Sequence, residues 1–422
     1  MKRPTLKPIR PSGCRSTLTF LFLMGGLFIG CVGSPIRGTA QDWAFWRGPD
    51  RSGVVKGVSL TDRWPAEGPT VLWKAKVGLG FSSFAISNGR AVTLGHADEK
   101  DTVICFDAVT GQELWKHSYP AELGDKYFEG GTTGTPVIDG DGVFVLSRWG
   151  DLIRLNLGTG ATEWSKNIAR ETGARVPDWG FGGAPLVMGK QLILNVGDAG
   201  VAVDKATGNV LWKSEASSAA YATPVSVTRG GVLHVIFGSA RSYVAVAAAD
   251  GKEVWRLRWL TEYGVNAADP IVQGDKIFLS TGYGKGAGLF EWKEPEPAPL
   301  WKSKVLRTQM NAAILFEDHL YGVDGDTTEK ASLKCVEFAT GKEKWMFAGF
   351  GSGGLLIAGG QIVALSGSGE LILAPATPAG FRPTSRAQVL GGKCWTAPVI
   401  AAGRVYVRNS RGDVSCLQVG KP

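Results

Sequence analysis

The sequence predicts an all-β protein, an eight-bladed β-propeller with four antiparallel strands in each blade. Tryptophan recurs at steps of 42 to 49 residues through most of the 422-residue chain. Between these tryptophans lie short runs of alternating apolar residues, separated by turns rich in Gly, Asp and Asn, which is typical of antiparallel hairpins. A repeat of about 40–45 residues in a strand-rich chain indicates propeller blades. The recurring tryptophans are Trp73, Trp115, Trp164, Trp212, Trp255, Trp301 and Trp345.

Each repeat contains four predicted strands. In the second unit they are "TPVID", "GVFVLS", "LIRLN" and the run that contains Trp164. Counting the second strand of every unit gives eight units. These strands begin near Arg90, Gly142, Lys190, Val232, Lys276, His319, Gln361 and Arg404.

The most regular part of the repeat is the turn before the fourth strand, for example "DAVTGQELW" in the first unit. Asp107 and Thr110 can hydrogen-bond to the backbone of the turn, and Gly111 can adopt a positive φ without steric cost. Trp115 then lies flat against the neighbouring blade and buries on the order of 150–250 Å². We therefore interpret the recurring tryptophans as structural contacts between blades rather than as ligand-stacking residues.

The two ends of the repeat array are complementary. The seventh unit lacks the TG-x-x-x-W pattern, and the eighth ends after "VSCLQV" without a fourth strand. The segment "VLWKAKVG", residues 71–78, is a fourth strand with no blade before it. We expect this N-terminal strand to close the ring by pairing into the eighth blade, which would cover both open edges.

One position of the third strand carries mostly small side chains, which predicts tight packing between sheets. The residues at this position are Cys105, Arg154, Ala202, Ala245, Cys335 and Cys416. A disulfide between Cys105 and Cys416 is not expected, because equivalent positions on adjacent blades are too far apart for disulfide geometry.

The first 40 residues are predicted to be a signal peptide, and a lipoprotein signal of residues 1–30 is the alternative. The apolar run of residues 18–30 is only 13 residues long, which is short for a bilayer span. "GTA" ending at Ala40 suits ordinary cleavage, whereas "LFIGC" makes Cys31 a candidate for lipidation. Both alternatives place the protein in the periplasm or outside the cell, the second as an outer-membrane lipoprotein. Residues 41–70 are then an N-terminal extension and residues 71–422 the propeller.

The net charge of +8 does not indicate a nucleic-acid partner. Six of the basic residues lie within the first 40 residues, which contain no acidic residue. The rest of the chain carries 40 basic and 38 acidic side chains, so it has almost no excess charge. Membrane attachment is accordingly expected only through a lipid anchor.

The "DAxTGxxxW" units, over residues 71–419, resemble the repeats of PQQ-like (pyrroloquinoline quinone) eight-bladed β-propellers. The segment "DWAFWRGPDRSG", residues 42–53, resembles the start of secreted bacterial members. The resemblance implies one of two classes of protein. One comprises the quinoprotein alcohol and glucose dehydrogenases. The other comprises the noncatalytic lipoprotein of the outer-membrane β-barrel assembly machinery and related secreted propellers.

The sequence favours the noncatalytic class. A quinoprotein dehydrogenase needs a central pocket, a Ca²⁺ ion that polarises the quinone and a carboxylate base. The resemblance also implies a pair of adjacent cysteines in many such enzymes, but no two cysteines are adjacent here. The chain is short for that class and has no C-x-x-C-H haem motif. We therefore predict a binding or assembly scaffold without a cofactor; a PQQ-dependent oxidoreductase that uses PQQ and Ca²⁺ is the alternative.

A ligand, if one binds, is expected in the central funnel, at positions just before the first strand of each blade. The candidate residues are Thr133, Phe181, Tyr221, Asn266, Asp269, Asn311 and Trp395. Aromatic faces and amides suit a planar polar molecule, although the favoured interpretation is that these residues fill and hydrate the channel. No catalytic residues are predicted, and neither "DGDG" nor "DGDTTE" has the spacing of an EF-hand loop. The partner is predicted to be a protein or a small polar ligand of unknown identity.

Overall fold

The computed structural model describes residues 42–61, 63–327 and 330–420. Eight sheets, each built around antiparallel strands, form an eight-bladed β-propeller, which confirms the predicted fold class. The predicted signal sequence, its cleavage sites and Cys31 lie outside the described residues. The helices of the described residues include none that is long and apolar enough to cross a bilayer.

Two strands precede the first blade, β1 (Val54–Val55) and β2 (Val71–Lys76). Blade one contains β3 (Ala85–Ser87), β4 (Arg90–Ala97), β5 (Lys100–Asp107) and β6 (Glu113–Pro120). Blade two contains β7 (Val137–Asp139), β8 (Gly142–Leu146), β9 (Asp151–Asn156) and β10 (Thr162–Asn167). A short helix, α1 (Ile168–Thr172), follows blade two.

Blade three contains β11 (Leu186–Met188), β12 (Gln191–Leu194), β13 (Val201–Asp204) and β14 (Val210–Lys213). Blade four contains β15 (Val225–Arg229), β16 (Val232–Gly238), β17 (Ser242–Ala247) and β18 (Glu253–Arg258). Blade five contains β19 (Ile271–Gln273), β20 (Lys276–Thr281), β21 (Gly286–Glu291) and β22 (Ala298–Ser303).

Blade six contains β23 (Ile314–Phe316), β24 (His319–Asp324), β25 (Ser332–Glu337) and β26 (Glu343–Phe347). Blade seven contains β27 (Gly354–Ala358), β28 (Gln361–Leu365), β29 (Glu370–Pro375) and β30 (Ser385–Gln388). Blade eight contains β31 (Val399–Ala401), β32 (Arg404–Arg408) and β33 (Asp413–Gln418).

The two N-terminal strands join the last two sheets. Strand β2 pairs antiparallel with β33, with Trp73 opposite Cys416, and is the outermost strand of blade eight. Strand β1 pairs in parallel with β27, so the seventh sheet has five strands. This fifth strand was not predicted, because a two-residue strand has no recognisable alternation.

The predicted turn chemistry is confirmed in the first blade. Asp107 Oδ1 accepts hydrogen bonds from the backbone N–H of Val109 at 3.0 Å and of Thr110 at 2.8 Å. The Thr110 hydroxyl donates to the same oxygen at 2.9 Å. Gly111 has a φ of 73°. The carboxylate therefore fixes the return between β5 and β6.

The turn also receives the tryptophan of the preceding blade. The Trp115 indole nitrogen, in blade one, donates to the Leu157 carbonyl of blade two at 2.8 Å. A Cβ placed on Gly160 of the same turn would lie 2.6 Å from the Trp115 ring, so a larger side chain would displace the indole. Trp73 makes the corresponding contact with Gly111 in blade one. The glycine and the tryptophan of the repeat are thus contact partners between successive blades.

The small-residue position lies directly opposite the tryptophans. Cys105 pairs with Trp115, Ala202 with Trp212, and Cys335 with Trp345. A small side chain here leaves room for the indole on the adjacent strand. The four described cysteines, Cys105, Cys335, Cys394 and Cys416, are free and buried. Burial raises the pKa of the Cys105 thiol to about 12.

Blade seven lacks a repeat tryptophan, and a residue of the N-terminal extension occupies that region instead. Ser385 stands opposite Leu373, where other blades have the tryptophan and its small partner. The Ser385 hydroxyl accepts a hydrogen bond at 2.8 Å from the backbone N–H of Trp64. The Trp64 side chain is 7% exposed and belongs to a core cluster that includes residues of blades seven and eight. We infer that Trp64 completes the contact between these blades.

Candidate functional site

A cavity of about 1100 Å³ lies at the centre of the ring. Its wall includes residues from the loop before the first strand of every blade. One residue from each of these loops, in blade order, is Phe81, Thr133, Gly182, Tyr221, Asp269, Asn311, Gly351 and Trp395. The loops before the first strands, which the sequence predicted as the site, therefore do surround a space of ligand size.

Residues 42–53, which we call the N-terminal plug, cross the axis of the ring. The plug exchanges backbone hydrogen bonds with Ile86 of blade one, and Gly53 accepts one from Ile357 of blade seven. The Arg47 side chain donates a hydrogen bond to the Ala313 carbonyl of blade six, and the Arg51 side chain donates one to the Val187 carbonyl of blade three. A segment bonded to blades on opposite sides of the ring must span the channel. Trp46 of the plug lines the cavity and forms part of its floor.

Asp269 connects the plug to the cavity wall. Its Oδ2 accepts a hydrogen bond from the Trp46 indole at 2.7 Å, and its Oδ1 accepts one from the Thr223 backbone N–H at 2.8 Å. The Arg47 guanidinium lies 3.8 Å away. Burial raises the pKa of Asp269, while the charge of Arg47 and the two hydrogen bonds oppose this shift. Oδ2 therefore holds the plug through Trp46 and Arg47, while Oδ1 anchors the carboxylate to the loop before blade four.

Five of the seven predicted funnel residues line the cavity, and two do not. Thr133, Tyr221, Asp269, Asn311 and Trp395 form part of its wall.

Phe181 and Asn266 lie behind the wall. Phe181 is 1% exposed and packs in a core cluster, while Asn266 is fully buried and donates to the Ser239 and Trp259 carbonyls. The residues that follow them, Gly182 and Ala267, line the cavity instead. Successive side chains of an extended segment point to opposite sides, so an error of one residue moves a side chain from the cavity to the core.

One side of the cavity carries a group of aromatic residues that we call the tyrosine wall. It comprises Tyr127, Trp179, Tyr221 and Tyr283, which line the cavity, and Tyr263, which packs against Trp179 and Tyr283 behind them. The Trp179 ring lies 5.1 Å from Tyr127, 5.9 Å from Tyr221 and 6.3 Å from Tyr263, measured between ring centroids. Tyr263 is 57% exposed, and burial raises the pKa of Tyr221 to about 12. The Tyr221 phenol is therefore a neutral hydrogen-bonding group at physiological pH.

A second aromatic group, which we call the Phe81 wall, comprises Phe81, Phe128 and Trp395. The Phe81 ring is stacked on Trp395 at 5.5 Å and tilted against Phe128 at 5.7 Å. The Lys393 ammonium lies 4.3 Å from the centre of the Trp395 ring and 2.5 Å from Glu129 Oε1. Burial is the largest single influence on Glu129 and raises the pKa of its carboxyl, but the hydrogen bond with Lys393, a backbone hydrogen bond and the charges of Lys393 and Arg411 together lower that pKa.

The buried guanidinium of Arg148 organises the loops that carry these walls. Its side chain donates to the carbonyls of Leu123 at 2.8 Å, Gly131 at 3.1 Å and Trp179 at 2.8 Å. The first two carbonyls belong to the loop that carries Tyr127 and Phe128, and the third to the loop before blade three. Sequence reasoning missed Arg148, Tyr127 and Phe128, because a loop contact to a distant strand leaves no periodic signal.

Two amide side chains of one loop present opposite hydrogen-bonding groups. Gln309 Oε1 accepts from the Gly282 N–H at 3.0 Å, and Asn311 Nδ2 donates to the Gly353 and Trp395 carbonyls at 3.1 and 2.8 Å. Among the described residues, Gln309 Nε2 and Asn311 Oδ1 have no hydrogen-bond partner. Neither atom is completely buried. Gln309 is 5% and Asn311 7% exposed, and both line the cavity. The bonded ends fix the orientation of each amide.

The described wall does not fit a Ca²⁺–quinone site. Asp269 is its only carboxylate, whereas Ca²⁺ takes six to eight oxygen ligands, commonly with several carboxylates. Lys393 is its only cationic side chain, and that ammonium is paired with Glu129. The described residues contain no group of three or more His, Cys, Asp or Glu side chains placed to hold a metal ion.

Comparison with known families identifies the repeat. The model of the family described as "Outer membrane protein assembly factor BamB" matches residues 65–176 and 99–347, which is more than half of the chain. The chain belongs to this family. A sequence comparison with curated proteins found no match.

Solved structures similar to this member of the BamB-described family include propellers of different kinds. BamB from Moraxella catarrhalis is 17% identical, with a TM-score of 0.62 over 83% of this chain and 99% of that chain. The quinohemoprotein alcohol dehydrogenase from Comamonas testosteroni is 14% identical, with a TM-score of 0.65 over 90% of this chain and 81% of that chain. The computationally designed protein Ika8 is 13% identical, with a TM-score of 0.59 over 83% of this chain and 100% of that chain. At these identities the similarity establishes the fold alone.

Proposed function

We propose that this protein is a noncatalytic binding scaffold of the periplasm or the extracellular space, which holds a protein partner or a polar ligand at the open side of its central cavity. Membership of a family described as an outer membrane protein assembly factor supports an assembly role. The predicted signal sequence supports the location.

The observation that carries the proposal is the position of Asp269. A dehydrogenase of this fold needs a carboxylate base free to accept a proton from the substrate. Asp269 is the only carboxylate of the described cavity wall, and Trp46 and Thr223 occupy its two oxygens. Its contacts are those of a residue that fastens the plug.

The aromatic residues around the cavity supply a surface suited to binding. Tyr127 and Tyr263 are 49% and 57% exposed, although each packs against another aromatic ring. Tyrosine and tryptophan give large contact areas at low cost in conformational entropy and are enriched at protein interfaces. The position of these rings, between the bulk solvent and a closed-ended cavity, favours recognition over chemistry.

We expect the purified protein, supplied with PQQ, Ca²⁺ and simple alcohols or sugars, not to reduce an artificial electron acceptor. The reason is that the described cavity wall contains one carboxylate, Asp269, whose two oxygens are already hydrogen-bonded, and no second carboxylate for Ca²⁺. Dye reduction measured with and without PQQ checks this result. PQQ-dependent turnover that disappears in the Asp269→Asn variant would contradict the proposal and support the oxidoreductase alternative.

A further inference from the structure

The free ends of Gln309 and Asn311 supply a donor and an acceptor to the cavity wall from two residues of one loop. The Gln309 amide offers N–H donors and the Asn311 amide a carbonyl oxygen, because their other ends are bonded to backbone groups. A hydroxyl group both donates and accepts, so the hydroxyl groups of one ligand match this donor–acceptor pair. A peptide group matches it as well, and other features of the cavity distinguish the two.

The first of these features is that the cavity is closed at one end. The N-terminal plug spans the channel, and Asp269 holds it there. A polymer can therefore enter only by its end, unless it folds back on itself inside the cavity. The volume of about 1100 Å³ exceeds the roughly 300–1,000 Å³ of a pocket for one drug-sized molecule. There is room for several units of a chain end.

The second feature is the absence of a free charge in the described part of the wall. Lys393 is paired with Glu129, and Asp269 with Arg47 and two hydrogen-bond donors. The end of a polypeptide carries a charge, and its burial without a counter-charge is costly. The end of a neutral sugar chain carries none.

The third feature is the pair of aromatic walls. The Phe81 wall and the tyrosine wall supply ring faces and phenol hydroxyls around the same space. A sugar ring has a C–H face, which packs against the negative face of an aromatic ring, and hydroxyl groups around its edge. The phenols and the amide pair can bond to those hydroxyls.

Building on the binding function proposed above, we infer that the cavity takes the uncharged end of an oligosaccharide or polysaccharide chain. The ring stacks against the aromatic walls, and hydroxyl groups of the terminal sugars bond to Gln309 Nε2 and Asn311 Oδ1. A charged glycan and a peptide terminus are disfavoured for the same reason, since both bring a charge that the wall does not balance.

Calorimetric titration of the purified protein with cellohexaose, maltohexaose and chitohexaose tests the inference. We expect at least one of these neutral hexasaccharides to bind saturably, and hexagalacturonate to bind at least tenfold more weakly. Gln309→Glu keeps an acceptor for the Gly282 N–H but removes the free donor, and should weaken binding at least tenfold. Gln273→Glu, which changes an exposed glutamine on β19, is the matched control and should bind as the wild type does.

A second variant guards against a folding defect in Gln309→Glu. Tyr127→Ala changes a half-exposed residue that lines the cavity, so it should fold normally and still weaken binding severalfold. The inference is wrong if none of the three neutral hexasaccharides binds, if both cavity variants bind like the wild type, or if a hexapeptide with a free carboxyl terminus binds more tightly. If the inference fails in one of these ways but the protein still does not reduce the dye with PQQ, the proposed binding function remains in place. Oxidation of a bound sugar would overturn the proposed function itself.

Discussion

Trp73→Ala is expected to lower the free energy of unfolding by about 3–5 kcal/mol, as much as Trp115→Ala. Trp73 lies outside every complete repeat, yet it is 7% exposed and Trp115 is 8% exposed. The Trp73 indole packs on the Gly111 turn and lies 5.6 Å from Phe106 and 5.9 Å from Tyr406. Its loss removes the contact between blades eight and one, just as loss of Trp115 removes that between blades one and two.

Denaturant unfolding of the two variants and the wild type provides the comparison. Leu72→Ala, at an exposed neighbour on the same strand, is the control and should change the stability little. If Trp73→Ala leaves the free energy of unfolding unchanged while Trp115→Ala lowers it strongly, β2 does not belong to the ring. The count of eight complete blades would then be wrong.

Trp64→Ala is expected to destabilise the protein by a similar amount, about 3–5 kcal/mol. Blade seven has Ser385 at the position opposite Leu373, and Trp64 enters the core between blades seven and eight. Truncation of its side chain therefore leaves a cavity where the repeat supplies no other large residue. The same denaturant titration measures the effect.

The adjacent variant Arg63→Ala is the matched control, because Arg63 is exposed. We expect its unfolding midpoint to stay within experimental error of the wild type. If Trp64→Ala behaves like Arg63→Ala, the extension is only a covering segment, and the junction of blades seven and eight does not depend on it.

The fold was predictable because the residues that form each turn, and the tryptophan that follows it, are close together in the sequence. Asp107, Thr110 and Gly111 form a turn from neighbouring residues, and Trp115 follows at a fixed distance in the sequence. One regular spacing therefore reports both the hairpin and the contact between blades. Trp64 makes its contact from a distant segment. The repeat pattern shows that blade seven lacks its tryptophan, but it does not show that Trp64 replaces it.

The sequence predicted where the cavity lies but not all of the residues that line it. Five of the predicted funnel residues line the cavity, because every blade begins at the axis. Phe181 and Asn266 were misplaced because the alternation of an extended loop has no fixed starting point. Gln309 and Met310 directly precede the predicted Asn311 and also line the cavity, because this part of the loop does not alternate between cavity and core. The role of Asp269 depends on Trp46, which is 223 residues away in the sequence.

The hydrogen-exchange rate of the N-terminal plug tests most directly the claim that Asp269 fastens the plug and is not free for catalysis. Asp269→Asn places an amide donor opposite the Trp46 indole N–H and removes the counter-charge of Arg47, so mass spectrometry should detect faster exchange in residues 42–53. The control Asp275→Asn changes an exposed carboxylate of the same blade, which pairs with Arg229, and should leave that exchange unchanged. Equal exchange of the plug in the wild type and in Asp269→Asn would contradict the account, because the carboxylate would then be dispensable for holding the plug.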